Sequence, residues 1–263
     1  MRTIWNHECK SNFKILLIWS LSVGGMGFLC ILLYQTMEGS MKDIADSFAS
    51  MGAFSDAFGM NTLSIATLKG YFASQIGVIH GLGSSMFAAS IGITILSKEE
   101  DLHTAEYLFS LPLSRAKILF AKTGALFSII IMYHIVCGFL YLAGFLLLGQ
   151  NLEISSFLLF MFSQILMSLE IASICFCISA FYKKNSPGIG IGLALALYFV
   201  DLLARIVPPL KDFIFLTPFS YCNASEIFSK TADYCLPIIL GSSLLIASLV
   251  TGFWFYTRKD LAS

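Results

Sequence analysis

An all-α integral membrane protein is the fold class this sequence predicts, and three observations predict it. Apolar residues make up 57% of the 263 and charged ones 12%, at a mean hydropathy of +0.81. A soluble domain carries about 45–50% apolar and about 25% charged residues. Six stretches are apolar over the roughly 20 residues that a helix needs to cross the hydrocarbon core. The 16 Lys and Arg also divide unevenly between the two sets of loops and ends that those stretches define. The chain, 1–263, reads as a single transmembrane domain.

The spans run about 13–34, 71–96, 118–149, 156–182, 187–207 and 236–256. The third is longer than a bilayer requires and is expected to tilt or to continue into water. The first is too long, and lacks the small-residue cleavage site, for a cleavable signal peptide. One set of ends and loops holds Arg2, Lys10, Lys14, Lys98, Arg115, Lys117, Lys122, Lys183, Lys184, Arg258 and Lys259. The opposite set holds only Lys42, Lys69, Arg205, Lys211 and Lys230. Basic residues collect on the cytoplasmic side of short loops, so both termini are expected there. Net charge is zero, which removes the electrostatic case for nucleic acid as a partner and leaves lipid.

Between the spans, three segments carry pattern. "MRTIWNHECKSNFK" spaces Trp5, Cys9 and Phe13 by four, predicting a short amphipathic helix along the interface before the first span. Met41, Ile44, Phe48 and Met51 predict one or two short helices resting on the outer surface in the long first outer loop, about 35–70. The last outer segment, 206–235, is apolar but broken by Pro208, Pro209 and Pro218, which suits short or re-entrant helices shielded by protein.

Two spans carry small residues four apart: Gly77, Gly81, Ser85 and Ala89, then Gly188, Gly192 and Ala196. Such ridges let helix backbones approach closely, here expected within the subunit. "GIGIG" at 188–192 lacks the strand and the Lys-Ser/Thr of a nucleotide loop.

Ionisable groups inside a membrane are costly and draw functional attention. Glu170 in the fourth span, with His80 in the second and His134 in the third, are the candidates for a substrate path. The competing reading of each is structural: a neutral or bonded carboxylate, and histidines that each donate one hydrogen bond. Asp201 and Arg205, four apart, are expected to pair. Seven cysteines show no metal-ligand spacing; Cys222 and Cys235 share the outer segment, where a disulfide is one alternative. Nucleophile triads, zinc signatures and Walker motifs are absent from the sequence, so nucleotide hydrolysis would need a partner chain.

The densest charge lies in "KEEDLHTAEYLFSLPLSRAKILFAK", residues 98–122, with eight charged side chains. Ser97 with Glu100 fits a capping box that places acids in a first helical turn. Tyr107, Leu108, Leu111 and Leu113 supply apolar contacts, Pro112 stops the segment, and Ser114 can cap the next helix. A solvated loop would explain the basic residues but not this helical grammar.

Here the sequence resembles the permease subunits of ABC-2-type ABC transporters, particularly small six-span bacterial ones. Glu99 and Glu100, then Thr104, Glu106, Leu108, Pro112, Ser114 and Arg115, then Lys122, are similar to that family's E-E-x-x-x-T-x-E-x-L-x-x-x-P-x-S-R … K stretch. "AFGM" at 57–60, "GYF" at 70–72 and "LTPFSY" at 216–221 are weaker matches, and the likeness covers essentially the whole chain. One departure is His103, where many members have Gly. The resemblance implies a multi-pass protein of the bacterial cytoplasmic membrane, with a coupling helix at about 98–117 formed around Glu99, Glu100, Thr104, Glu106, Leu108, Pro112 and Arg115. That helix would dock on a separate cytoplasmic ATPase dimer, which holds ATP and Mg. This chain itself would carry no cofactor, and a second permease subunit, identical or related, would complete an exporter. The alternatives are a membrane sensor or assembly factor that recruits an ATPase without transport, and an intramembrane lipid-modifying enzyme.

Overall fold

The computed structural model describes residues 1–37, 39–49, 55, 63–104, 113–150, 152–182, 184–231 and 234–259. Among these, every regular element is helical. The order is α1 (Arg2–Met37), α2 (Met41–Ala49), α3 (Leu68–Asp101), α4 (Arg115–Leu147), α5 (Ile154–Ser179), α6 (Pro187–Ile206), a 3-10 helix (Pro208–Leu216), α7 (Ala224–Ser229) and α8 (Cys235–Arg258). The six long helices α1, α3, α4, α5, α6 and α8 are each long and apolar enough to cross a membrane. They fall where the sequence predicts spans. The end bearing residues 98–104 is the charged end of the molecule, and the opposite one is the far end.

Packing is centred on α3, the most buried of the six. It lies against α5 and α6, while α1 packs along α4 and α8 along α5. Near the far end α3 passes through a π-helical turn, Phe72–Ile76. Phe72 is fully buried there, with its ring against those of Tyr141, Phe145, Phe157, Phe160 and Phe228.

The N-terminal segment departs from expectation. It is no separate helix, because α1 runs unbroken from Arg2 through the first span. At 1.5 Å per residue such a helix is about 54 Å long against a hydrocarbon core of about 30 Å. Its buried face is Ile4, Glu8, Asn12, Leu16 and Ser20, whereas Trp5 and Phe13 are exposed. Packing against α4 and the ionic partners of Glu8 choose this face, rotated from the one that hydrophobic spacing suggests.

The small-residue ridges are only half used as expected. On α3, Gly77 faces Ala224 and Ala89 is fully buried. On α6, Gly188 and Gly192 look into open space, and Gly190 with Ala194 supplies the contact instead. A Cβ at Gly190 would lie 2.5 Å from the Ala89 carbonyl oxygen, so the two backbones meet there. A two-residue shift turns a helix by more than half a turn, so the wrong stripe is legible in the sequence and the right one is not.

At the far end, the Pro-broken segment forms the 3-10 helix and α7 without spanning. Asn223 caps α7 by accepting from the Ser225 and Glu226 amides at 2.9 and 3.4 Å. The expected Asp201–Arg205 pair forms at 2.7 Å, and Arg205 also reaches Glu226 at 2.6 Å while Thr217 donates to Asp201. Glu153, at the start of α5, accepts from Lys230 at 2.7 Å and Lys69 at 3.2 Å, tying three far-end segments together. The hydrogen bond from Lys230, with that from Lys69, holds the Glu153 carboxyl below its usual range. A depressed carboxyl contributes stability above its unfolded pKa, lost as pH falls through the folded value. Glu153→Gln should therefore melt below wild type at neutral pH. The gap should close as the medium is acidified below about pH 4, as thermal unfolding in detergent will show.

Candidate functional site

The charged stretch begins as the C-terminal end of α3. Ser97 is no N-cap: it lies inside the helix, its hydroxyl bonded to the Ile93 carbonyl at 2.9 Å. Glu99, Glu100 and Asp101 therefore occupy a last turn, where the helix dipole disfavours negative charge. Cations from two other places, Lys122 and Lys259, offset this. Lys122 of α4 donates to Glu99 at 2.8 Å, to Glu8 of α1 at 2.6 Å and to the Ile95 carbonyl at 3.0 Å. All three ammonium protons are thereby used, on a side chain only 1% exposed. Lys98 is the second cation on Glu8, and Lys259 reaches Glu100 at 2.7 Å and the Ala180 carbonyl at 3.1 Å.

The spacing of Glu99 and Thr104 has a local reason. α3 ends in a Schellman turn: the Thr104 amide bonds the Glu99 carbonyl at 2.9 Å and the His103 amide bonds that of Glu100 at 3.2 Å. The Thr104 hydroxyl then donates to the Glu99 carboxylate at 2.6 Å. One residue thus caps the helix end and orients the carboxylate that holds Lys122. The turn puts His103 at φ 53°, in the left-handed region. This is where glycine is favoured, so the departure at His103 carries strain. His103→Gly should raise unfolding stability by about 1 kcal/mol, the lower end of the left-handed penalty; a chemical denaturation series checks it.

Arg115 opens α4, and its guanidinium donates to the carbonyls of Thr257 and Lys259 at 3.2 and 2.9 Å. Ser114 caps that helix through the Lys117 amide. Of the predicted coupling residues, Glu99, Glu100, Thr104 and Arg115 are thus placed in one ionic clasp with both chain ends. Glu106, Leu108 and Pro112 lie outside the described residues. Sequence reasoning missed Glu8 and Lys259. Glu8 had a signal, since Ile4, Glu8, Asn12 and Leu16 are four apart; Lys259 had none.

Inside the membrane, Glu170 is 2% exposed and accepts from the Tyr221 hydroxyl at 2.8 Å. It lines a cavity of about 420 Å³ between α5, α8 and the 3-10 helix, walled by Phe215, Leu216, Leu240 and Leu244. A Cβ at Gly241 would sit 2.5 Å from the carboxylate, so a larger residue there would push the Glu170 carboxylate aside. An almost wholly apolar chamber with one carboxylate suits an amphipathic cation.

His80 and His134 prove to be partners. Tyr141 OH meets His80 Nδ1 at 2.9 Å, His80 Nε2 meets His134 Nδ1 at 3.0 Å, and His134 Nε2 meets Ser168 Oγ at 3.0 Å. A neutral imidazole carries one donor and one acceptor, so this chain is satisfied in either direction. Both rings are fully buried and neither lines the Glu170 cavity. No disulfide joins Cys222 and Cys235. The Cys222 thiol is buried against the Ser163 carbonyl at 3.3 Å, while Cys235 opens α8 at the surface.

Six apolar helices, short helices at the far end and one ionic clasp at the other define a multi-pass membrane protein. The model of the ABC-2 family transporter proteins matches residues 18–261. The chain belongs to that family, and it is a membrane permease subunit of a transporter. No curated protein matches it.

Proposed function

We propose that this permease is driven by a separate ATPase through residues 98–117, and that it exports an amphipathic cargo past Glu170. The single observation carrying the reading is the clasp. Lys122, Glu99 and Glu8 join α4, α3 and α1, of which α3 and α4 flank residues 105–112 in the sequence, and Lys259 and Arg115 add α8. A force applied to that segment reaches four spans through ion pairs and backbone bonds instead of dissipating in a loop. ATP and Mg belong to the ATPase pair, and a second permease, identical or related, completes the complex. The excess of basic residues supports a cytoplasmic location for the charged end and both termini, in a bacterial plasma membrane.

Capture of an ATPase subunit from native membranes tests the coupling. Wild type should retain one, and Glu106→Lys or Leu108→Asp should reduce retention about tenfold or more while leaving unfolding unchanged. Equal retention by the variants, or none by wild type, overturns the reading. ATP-dependent movement of cargo in proteoliposomes separates it from a non-transporting recruiter of ATPase.

A further inference from the structure

At the charged end of α8, Trp254 divides two apolar grooves. One, about 430 Å³, lies toward α4 and is walled by Phe120, Leu249, Val250 and Phe253. The other, about 340 Å³, lies toward the end of α5 and is walled by Ala180, Phe181 and Phe255. Trp254 is 49% exposed, and the Arg258 guanidinium sits over its ring, 4.4 Å from the centroid. Arg258 is exposed and pairs with no carboxylate among the described residues. Its neighbours are committed: Lys259 to Glu100 and Ala180, Arg115 to two backbone carbonyls.

We infer that this is a binding site for one anionic phospholipid, its headgroup on Arg258 and its two acyl chains in the grooves on either side of Trp254. Three features select that occupant. The grooves are two, apolar and convergent on one residue, matching a two-tailed molecule better than a single chain. The exposed cation lines the groove toward α5 and lies over the indole that both grooves share. An indole and a guanidinium one turn apart on a membrane-crossing helix mark the depth of the headgroups. The favourable place of a cation in the last turn of α8 explains why Arg258 is tolerated, but not why apolar grooves flank it.

Trp254 supplies its own probe. In a Trp5→Phe, Trp19→Phe background reconstituted in nanodiscs, dibrominated phosphatidylglycerol and dibrominated phosphatidylcholine are compared at equal mole fraction as quenchers of its fluorescence. Phosphatidylglycerol should occupy the site with about fivefold higher relative affinity, and Arg258→Gln should bring the two lipids level. Equal quenching in the parent protein overturns the proposal. So does a preference that survives Arg258→Gln, or no quenching at all, the result expected if a second copy covers this face. An independent reading uses the unaltered chain in detergent. Added phosphatidylglycerol should raise its melting temperature more than phosphatidylcholine does, and the difference should vanish in Arg258→Gln; a difference that persists in the variant sinks the site.

Discussion

Replacing Lys122 with Met is expected to cost about 3–5 kcal/mol of stability, the usual penalty for stripping one partner from a buried ion pair. The ammonium is 1% exposed, as is Glu8, and Glu99 is largely covered at 14%. Met fits the volume but leaves two carboxylates facing each other, with Lys98 the one cation left on Glu8. Glu99 would also remain in the last turn of α3, where the dipole opposes it. Thermal and chemical unfolding in detergent measure the loss. Glu99→Gln combined with Lys122→Met should recover part of it, because the carboxylate that lost its ion-pair partner is then gone. If the single variant unfolds like wild type, the clasp contributes nothing and the coupling argument built on it fails as well.

Glu170→Gln is expected to raise the concentration of a cationic amphiphile needed for half-maximal ATP-dependent transport by about tenfold or more. A hydrogen bond to a charged group contributes about 1.5–3 kcal/mol, and 1.4 kcal/mol corresponds to a factor of about ten. Gln is the informative replacement because its oxygen can still accept from Tyr221, which donates at 2.8 Å. The wall of the cavity should then stand and only the charge be lost. Transport of a neutral amphiphile of similar size should be unchanged. Proteoliposomes containing the permease and its ATPase give both measurements; an equal effect on the two cargos would assign Glu170 a structural part.

The opposite fates of Glu8 and Glu170 show what a sequence reading can reach. Glu170 announces itself, since a carboxylate in the middle of an apolar run is conspicuous. Glu8 lies among Lys, His and Asn in a polar segment, where only its four-residue spacing with Ile4, Asn12 and Leu16 separates a buried acid from a solvated one. The histidines are visible singly, but 54 residues apart on two helices nothing marks His80 and His134 as mutual partners. The acids at 99–101 read as a helix start, because Ser97 with Glu100 satisfies the local rule for one. Helix α3 runs through that signal, and cations from elsewhere in the chain make the unfavourable end tolerable.

Amino-acid sequence alone determined the class: six apolar spans, the asymmetry of basic residues, the Asp201–Arg205 pair and the motif around Glu99, Thr104 and Arg115. Each depends on composition or on spacing within one helix, and the membrane imposes those locally. Tertiary structure decided which side of each helix is buried and which charges meet. It joined Glu8 to Lys122, His80 to His134 and Tyr221 to Glu170, and it turned Gly190 instead of Gly188 and Gly192 toward α3. The physical reason is that a spanning helix is apolar nearly all round, so its own periodicity barely distinguishes one face from another. Only the shape and charge of the neighbouring helices choose.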